Sequence, residues 1–242
     1  MVLHLVSVTG ALKTEYDNVV FRNIPGGVLS VNGDTQNLVV RNSSFINNGG
    51  SANNEPIIYI GYTANALIEN CTFDTNVVGA EGYSGGAIRV NNAVNGTLTI
   101  NNSVFKNNSA NRNGGAISIY NSNEYTLNVE NSYFEKNIVT GDNNNADGGA
   151  ISVFPTGRSN YVTIINSTFY KNEARDDAGA VFLENDGTNA TNVLKNNTFF
   201  ENYSYDTNGT VTSGGAIQIS VNTIAKLTGN TIVNNKSRSN TI

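Results

Sequence analysis

Acidic residues stand directly before two pairs of small residues in the middle of the chain. Asp147 precedes Gly148-Gly149, Asp177 precedes Ala178-Gly179, and Asp142 lies shortly upstream of the first pair. If these positions are equivalent in a stacked repeat, Asp147 and Asp177 lie one strand spacing apart, ~4.8 Å. Such carboxylates titrate together, and they could share a calcium ion or act on a polysaccharide. Their spacing differs from the twelve-residue calcium loop, so the plainest interpretation is a solvated turn with polar caps.

No other group of residues has the spacing of a known catalytic site. The single histidine, His4, lies outside the repeat, and the sequence has no Ser/His/Asp set, zinc-ligand spacing or phosphate-binding glycine loop. The single cysteine, Cys71, stands where other repeats have Ser or Asn, and it cannot form an internal disulfide. We therefore expect Cys71 to be a small buried side chain. We also expect a protein without catalytic residues.

Aromatic and basic residues alternate with apolar ones in the stretches that follow the small-residue pairs. Residues of this parity point away from the core of a half-buried strand. Exposed aromatic rings on a flat strand face suit stacking against sugars or packing against a partner protein. The predicted ligand-binding residues are Tyr59, Arg89, Tyr120, Phe154 and Phe182. The alternative is that an inserted turn folds over them.

These residues are positioned by a repeat that returns along most of the chain. One half of the unit is Phe followed three positions later by Asn, at Phe45/Asn48, Phe73/Asn76, Phe105/Asn108, Phe134/Asn137, Phe169/Asn172 and Phe199/Asn202. The other half is Gly-Gly-Ala-Ile, at Gly85–Ile88, Gly114–Ile117, Gly148–Ile151 and Gly214–Ile217. Successive Phe positions lie 28 to 35 residues apart, so insertions collect in particular turns.

Two stretches of each repeat alternate between apolar and polar residues, for example at Ile117/Ile119 and Leu127/Val129. This alternation predicts short strands with one buried face, and no segment has the stripe of an amphipathic helix. Coiling each repeat into one rung, with equivalent strands paired in parallel, explains the pattern better than hairpins or propeller blades. We predict an all-β fold, a single-stranded parallel β-helix of about seven to eight rungs. Parallel crossovers are usually right-handed, so we expect a right-handed coil.

Equivalent side chains of successive rungs should then stack as ladders. A buried Asn must pair its amide and its carbonyl, and stacked copies can bond one another and the turning backbone. The expected inward-facing Asn ladder is Asn42, Asn70, Asn102, Asn131, Asn166 and Asn196. The expected aromatic column is Phe45, Phe73, Phe105, Phe134, Phe169 and Phe199. The paired glycines should let a bend approach the neighbouring rung closely.

Composition excludes several classes of protein. The 242 residues carry 14 Lys and Arg against 19 Asp and Glu, a formal net charge of −5, and roughly one residue in five is Asn. Without a basic cluster, nucleic acid is not an expected partner, and neither is an unaided electrostatic hold on a membrane. No apolar run approaches the ~20 residues of a membrane helix.

We expect one domain over residues 1–242, with a ragged first rung at 1–33, repeats at 34–235 and a short tail at 236–242. The incomplete end repeats suggest a fragment of a longer surface protein that supplies any membrane attachment.

Several Asn-x-Ser/Thr sequons could accept glycans if the host modifies surface proteins. Asn95, Asn189 and Asn208 lie in expected turns and are the candidate glycosylation sites. The sequons on the Asn42 ladder are expected to be buried.

The pairing of GGA[IVL] with FxxN at a period of about 30 residues resembles the polymorphic outer membrane protein repeats of chlamydial autotransporter passengers. It is equally similar to the repeat regions of adhesin-like surface proteins of methanogenic archaea. The resemblance spans roughly Phe21 to Asn235. The single cysteine departs from the chlamydial pattern, and the Asn-rich composition leans toward the archaeal group.

This resemblance implies a right-handed parallel β-helix displayed outside the cell as an adhesin. Its partner would be a protein or glycan on the surface of a host or neighbouring cell, and no cofactor is implied beyond a possible structural calcium. One alternative is a polysaccharide lyase or glycoside hydrolase that uses Asp147 and Asp177. Another is a purely structural stalk.

Overall fold

The computed structural model describes residues 5–10, 12–33, 37–62, 65–141, 146–154, 160–184, 191–206 and 212–238. Throughout these residues the chain forms short β-strands joined by turns, without a helix. The expected all-β class is therefore confirmed. The described residues thus include no helix that could span a membrane.

The strands are numbered along the chain and fall into four sheets. Strands that begin at or near the Ile of Gly-Gly-Ala-Ile form the Ile sheet: β1 (Val6–Thr9), β4 (Leu29–Asn32), β8 (Ile58–Gly61), β12 (Ile88–Asn91), β16 (Ile117–Tyr120), β20 (Ile151–Phe154), β24 (Val181–Leu183) and β28 (Ile217–Ile219). The next strands along the chain form the Leu sheet: β2 (Lys13–Asp17), β5 (Asn37–Arg41), β9 (Asn65–Glu69), β13 (Thr97–Asn101), β17 (Thr126–Glu130), β21 (Tyr161–Ile165), β25 (Thr191–Lys195) and β29 (Ile224–Thr228).

Two further sheets complete each coil. Strands around the Phe of the repeat form the Phe sheet: β3 (Val20–Arg22), β6 (Ser44–Ile46), β10 (Thr72–Asp74), β14 (Val104–Lys106), β18 (Tyr133–Glu135), β22 (Thr168–Tyr170), β26 (Thr198–Phe200) and β30 (Thr231–Val233). The strands that follow form the short sheet: β7 (Gly49–Gly50), β11 (Val77–Val78), β15 (Ser109–Ala110), β19 (Ile138–Val139), β23 (Glu173–Ala174), β27 (Tyr203–Tyr205) and β31 (Lys236–Arg238).

Each strand pairs in parallel with its equivalents in the neighbouring coils. In the Ile sheet, for example, Ile88 lies opposite Ile58 on one side and Ile117 on the other. Among the described residues, three sheets contain eight strands and the short sheet contains seven, in keeping with the seven to eight rungs that the repeat predicts. The chain is therefore a parallel β-helix. The right-handed sense of its coil stays a prediction.

The Phe side chains of the repeat form a column through the core. The six rings from Phe45 to Phe199 are fully buried. Neighbouring rings in this series stack with centroids 4.6–4.9 Å apart and planes within 5° of parallel. This separation is close to the spacing of paired strands, so ring stacking and strand register reinforce each other. The expected aromatic column is confirmed.

The Asn three residues after each Phe forms a buried ladder beside the rings. Nδ2 of Asn108 donates to Oδ1 of Asn137 over 2.9 Å and to the carbonyl of Phe73 over 3.0 Å. The backbone N–H of Asn108 donates to the same Oδ1 of Asn137 over 3.1 Å. This pattern recurs at Asn48, Asn76, Asn137, Asn172 and Asn202. Both donors and the carbonyl oxygen of each carboxamide are used, which explains why the position needs Asn.

The other asparagine series lies at the corner between the Leu and Phe sheets and is exposed, so its expected burial is wrong. These residues have left-handed φ values of 48–56°: Asn42, Asn70, Asn102, Asn131, Asn166 and Asn196. A left-handed residue rotates the chain, so the alternation of the strand does not continue through it. The inward position falls one residue later, on Ser43, Cys71, Ser103, Ser132, Ser167 and Asn197, all of which are buried. Sequons in the Asn42 series are accordingly exposed, contrary to expectation.

Cys71 belongs to this inward series and has a structural role, as expected. In the equivalent position, Ser103 accepts from the Cys71 backbone N–H over 3.1 Å and donates to a carbonyl two residues before it over 2.8 Å. The thiol of Cys71 donates to the carbonyl of Glu69 over 3.2 Å, and the Ser43 backbone N–H donates to its sulfur. Burial raises the pKa of the Cys71 thiol, which disfavours the reactive thiolate.

The two glycines of Gly-Gly-Ala-Ile have different roles. Gly114 has a φ of +67°, and Ala178 occupies the equivalent position at +57°. A Cβ at Gly114 would overlap the carbonyl oxygen of Ile117 in the same coil, whereas a Cβ at Gly115 would overlap the carbonyl oxygen of Gly149 in the next coil. The expected close approach at the glycine pair is confirmed, and it depends on the second glycine.

One hydrophobic core joins the coils. It runs as a continuous cluster from Val8 to Ala216. Beyond it, inward residues of the last coil such as Leu227 and Ile232 are 41% and 50% exposed. They are exposed because no further coil among the described residues packs against them.

Candidate functional site

Outward side chains of the Ile sheet form two rows that cross the coils. In the first row, Tyr59 of β8 lies between Ser30 of β4 and Arg89 of β12. In the second row, Tyr120 of β16 lies opposite Phe154 of β20. The strand register therefore places these side chains next to one another as the repeat predicts. We call this surface the Ile-sheet face.

An open pocket of about 540 Å³ lies on this face around Tyr59. Its strand residues are Ser30, Asn32, Tyr59 and Arg89, and its turn residues are Asn54, Glu55, Pro56, Tyr62 and Tyr83. The lining thus combines three tyrosine rings with amide, carboxylate and guanidinium groups. Rings that offer an apolar face, next to a few directed polar groups, are suited to holding a small polar ligand such as a sugar unit. We call it the tyrosine–arginine pocket.

Gly61, at the end of β8, leaves the space beside Tyr59 open. A Cβ at Gly61 would lie 2.6 Å from Oδ1 of Asn32 and 3.1 Å from Cε1 of Tyr59. Nδ2 of Asn32 is held by Oγ of Ser30 at 2.9 Å. A side chain at position 61 would therefore force the Asn32 side chain to move and would crowd the Tyr59 ring.

The turn before β8 forms one wall of the pocket and is held by Asn53. The buried side chain of Asn53 accepts from the backbone N–H of Glu55 over 3.1 Å and donates to the carbonyls of Glu55 and Val77 over 2.6 and 3.2 Å. Next to it, Oδ1 of Asn54 is shielded from solvent and has no hydrogen-bond donor among the described residues. These hydrogen bonds fix the wall in place.

Two arginines contact Tyr120 at the edge of the pocket. The guanidinium carbons of Arg89 and Arg112 lie 5.8 and 5.2 Å from the centroid of the Tyr120 ring. Nε of each is buried without a hydrogen-bond acceptor in the described part of the chain. Burial lowers the pKa of Arg89, with opposing contributions from Tyr59, Tyr120 and Glu55 and a further lowering from Arg112. Since arginine stays charged in proteins, two cations with unused donors lie close together here.

The structure places the five predicted ligand-binding residues in different surroundings. Tyr59 and Arg89 line the pocket, and Tyr120 lies against Arg89. Phe154 stacks on Tyr120 with centroids 5.8 Å apart. Phe182 is only 3% exposed, so its place in the exposed aromatic patch is wrong. Strand parity gives the direction of a side chain, and it does not reveal what covers it.

An acidic cluster lies elsewhere on the coils, where Asp147, Asp176 and Asp177 bring carboxylate oxygens within 4.8 Å of one another. Asp147 and Asp177 are thus neighbours, as the repeat predicts. Burial raises the pKa of Asp147, and the charges of Asp176 and Asp177 add to this. The pKa of Asp176 is raised to about 6 by burial and by the charges of Asp177 and Asp206. Asp142, the third predicted calcium ligand, lies outside the described residues.

The carboxylates of Asp147 and Asp177 also have structural partners. Each coil donates a backbone N–H to the side-chain oxygen one coil before it: Asn113 to Ser84, Asp147 to Asn113, Asp177 to Asp147 and Ser213 to Asp177. Asp177 also accepts from Oγ of Ser213 at 3.1 Å and from Nε2 of Gln218 at 2.9 Å. These carboxylates belong to a side-chain ladder that caps the turn. The oxygen cluster could hold a cation, and calcium there stays a prediction.

Of the candidate glycosylation sites, Asn95 is exposed in a turn at a φ of 56°. Asn189 and Asn208 lie outside the described residues.

Sequence reasoning missed the residues that the turns contribute, namely Asn54, Glu55, Tyr62, Tyr83 and Arg112. A signal was available for two of them. Tyr83 and Arg112 each stand two residues before the first glycine of Gly-Gly-Ala-Ile, so stacking places them in neighbouring coils. The backbone N–H of Arg112 indeed donates to the carbonyl of Tyr83 over 2.8 Å. The turn before β8 has no such glycine pair, so the repeat did not point to its residues.

Comparison of the chain with protein-family models, with curated proteins and with solved structures finds no match.

Proposed function

We propose that this chain is an extracellular, adhesin-like module that binds a glycan or protein on a host or neighbouring cell. The observation that carries the proposal is the tyrosine–arginine pocket on the Ile-sheet face. Three tyrosines, one arginine and fixed amides converge there on an open concave surface. Ligand sites of this kind are concave and combine ring faces with a few directed polar groups.

The scaffold suits this function because its coils cannot easily shift relative to one another. The stacked Phe rings and the Asn ladder tie each coil to the next through fully buried groups. A surface built on such a scaffold is preorganised, and preorganisation reduces the entropic cost of binding.

Binding of the purified chain to whole cells and to a glycan array tests the proposal. Tyr59→Ala should reduce binding at least tenfold, because it removes a central ring of the pocket. Tyr170→Ala is the matched control, since Tyr170 also carries a partly exposed ring, stacked on Phe200 of the Phe sheet at 5.5 Å. Equal loss in both variants, or no binding by the wild type, would overturn the proposal and favour a stalk.

The second candidate function is a polysaccharide lyase or glycoside hydrolase, favoured by the three carboxylates within 4.8 Å. Neighbouring carboxyl groups with different proton affinities are a common basis of glycan cleavage. Against it, Asp147 is only 6% exposed and Asp177 accepts three hydrogen bonds from Ser213 and Gln218. Incubation with neutral and acidic polysaccharides, with Asp177→Asn as the control, decides the matter: turnover by the wild type alone would establish the enzyme.

A further inference from the structure

We infer that the tyrosine–arginine pocket takes an acidic sugar unit, a uronate whose ring lies against the tyrosines and whose carboxylate binds the guanidinium groups of Arg89 and Arg112. This inference rests on the proposed glycan-binding function and specifies the class of glycan.

The charge around the tyrosine–arginine pocket is opposite in sign to the net charge of the chain. The protein carries a net charge of −5, yet the guanidinium carbons of two arginines lie 5.8 and 5.2 Å from the centroid of one tyrosine ring beside the pocket. Glu55 is the acidic group of the lining and interacts electrostatically with Arg89. Among the described residues that line the pocket or contact Tyr120 at its edge, two guanidinium groups against one carboxylate leave the local charge positive. A ligand with one negative charge would balance it.

The arginines also have hydrogen-bonding capacity that the described residues do not use. Nε of Arg89 and Nε of Arg112 are both buried without an acceptor. Because Nε is closed off from solvent, a ligand in the pocket meets Arg89 through the part of its guanidinium that lines the pocket. The planar guanidinium matches a carboxylate through two parallel N–H···O bonds. A neutral sugar hydroxyl is a weaker acceptor and would balance no charge.

The rest of the lining fits the ring and hydroxyl groups of the same sugar. Tyr59 and Arg89 stand directly opposite each other on β8 and β12, one strand spacing apart, ~4.8 Å. Ring stacking and ion pairing therefore fall within the reach of one sugar unit. Tyr62 and Tyr83 extend the aromatic surface, and Asn32 and Glu55 add polar groups to the same lining.

Calorimetric titration tests this inference with glucuronate and galacturonate oligosaccharides and with their carboxyl-reduced, neutral counterparts. The acidic oligosaccharides should bind at least tenfold more tightly than the neutral ones. Arg89→Gln should abolish this difference, and Arg89→Lys should recover part of it because the charge returns without the planar fork. Arg22→Gln is the matched control, since it makes the same change of charge at an exposed arginine on the Phe sheet, and it should leave the preference intact.

Equal binding of acidic and neutral oligosaccharides, lost in Tyr59→Ala, would overturn the acidic-sugar inference while leaving the glycan-binding function in place. Competition by inorganic sulfate as strong as that by the uronates would identify a simple anion site and likewise overturn it. Absence of binding to every oligosaccharide would reject the inference as well. The cell-binding experiment then decides the proposed function separately, because a protein partner would still be detected there.

Discussion

Asn137 holds Asn108 through two hydrogen bonds to a single oxygen. Its Oδ1 accepts from Nδ2 of Asn108 over 2.9 Å and from the Asn108 backbone N–H over 3.1 Å. Both residues are fully buried, so neither bond can be replaced by water. The coils of this β-helix are thus joined by side chains as well as by strand pairing.

Asn137→Ala should lower the free energy of unfolding by about 2–4 kcal/mol, because two buried donors of Asn108 lose their acceptor. Denaturant unfolding followed by circular dichroism measures this loss. Asn131→Ala is the control in the same coil, where an exposed left-handed residue is changed and the cost should stay near about 1 kcal/mol. Equal losses in both variants would contradict the role assigned to the buried ladder.

The two glycines of one motif should differ sharply when each is replaced by alanine. Gly115→Ala should cost about 3 kcal/mol or more, because its Cβ would overlap the Gly149 carbonyl oxygen and the backbone must move. Gly114→Ala should cost less, about 1–2 kcal/mol. Its Cβ would overlap the Ile117 carbonyl oxygen of the same coil, but Ala178 occupies the equivalent left-handed position, so this turn can shift to accommodate a Cβ. Thermal unfolding of both variants measures the difference. A Gly114→Ala variant as unstable as Gly115→Ala would contradict this, because the contact within a coil would then be as restrictive as the contact between coils.

Cys71→Ser should change the free energy of unfolding by no more than about 1 kcal/mol, either not at all or towards higher stability, as measured by denaturant unfolding. Serine fills the same inward position in the coils on either side and makes the equivalent hydrogen bonds. Cys71→Val is the contrasting variant, because it would leave the Ser43 backbone N–H without the sulfur that accepts from it. The prediction fails if serine destabilises the protein as much as valine does.

Asp176 should make the protein less stable as the pH rises. Its pKa is raised from 3.8 to about 6 on folding, so the folded state binds the proton more tightly, and this contribution is lost as the pH rises through about 6. Asp176→Asn should therefore raise the free energy of unfolding at about pH 8 by about 1 kcal/mol, after allowance for solvent screening. It should have little effect at about pH 3.

Asp74→Asn is the matched control for this pH dependence. The pKa of Asp74 lies below its usual range. Partial burial raises this pKa, but the hydrogen bonds from Asn107, Thr75 and Lys106 lower it by more. Asp74→Asn should therefore destabilise the protein near neutral pH, whereas Asp176→Asn should stabilise it. Thermal melts in the presence of EDTA separate these proton effects from cation binding. A lower midpoint of Asp176→Asn than of the wild type at about pH 8 would contradict the expected sign.

Periodicity made the fold predictable because each coil is built from the same inward positions. Ile88, Phe105 and Asn108 recur at fixed places in the repeat, so their stacking could be inferred before any geometry was known. Corners were less predictable. The left-handed φ of Asn42 shifts the inward position to Ser43, and strand alternation holds no information about such a turn.

The site was predictable only where it lies on strands. The parity of the Ile sheet gave Tyr59 and Arg89, and the register of the glycine motif could have given Tyr83 and Arg112. Asn54 and Glu55 come from a turn whose path depends on the hydrogen bonds of Asn53. The burial of Phe182 likewise depends on tertiary packing rather than on its position in a strand.

The central claim is that the tyrosine–arginine pocket is where this protein binds its partner. Glycan-array and cell binding by Gly61→Ala tests it most directly, because the added Cβ would force the Asn32 side chain to move and crowd the Tyr59 ring without changing any charge. Gly50→Ala is the control, since a Cβ there meets no atom within 4 Å. We expect binding to fall at least tenfold in Gly61→Ala and to be unchanged in Gly50→Ala. Undiminished binding by a folded Gly61→Ala protein would contradict the claim and move recognition to another part of the surface.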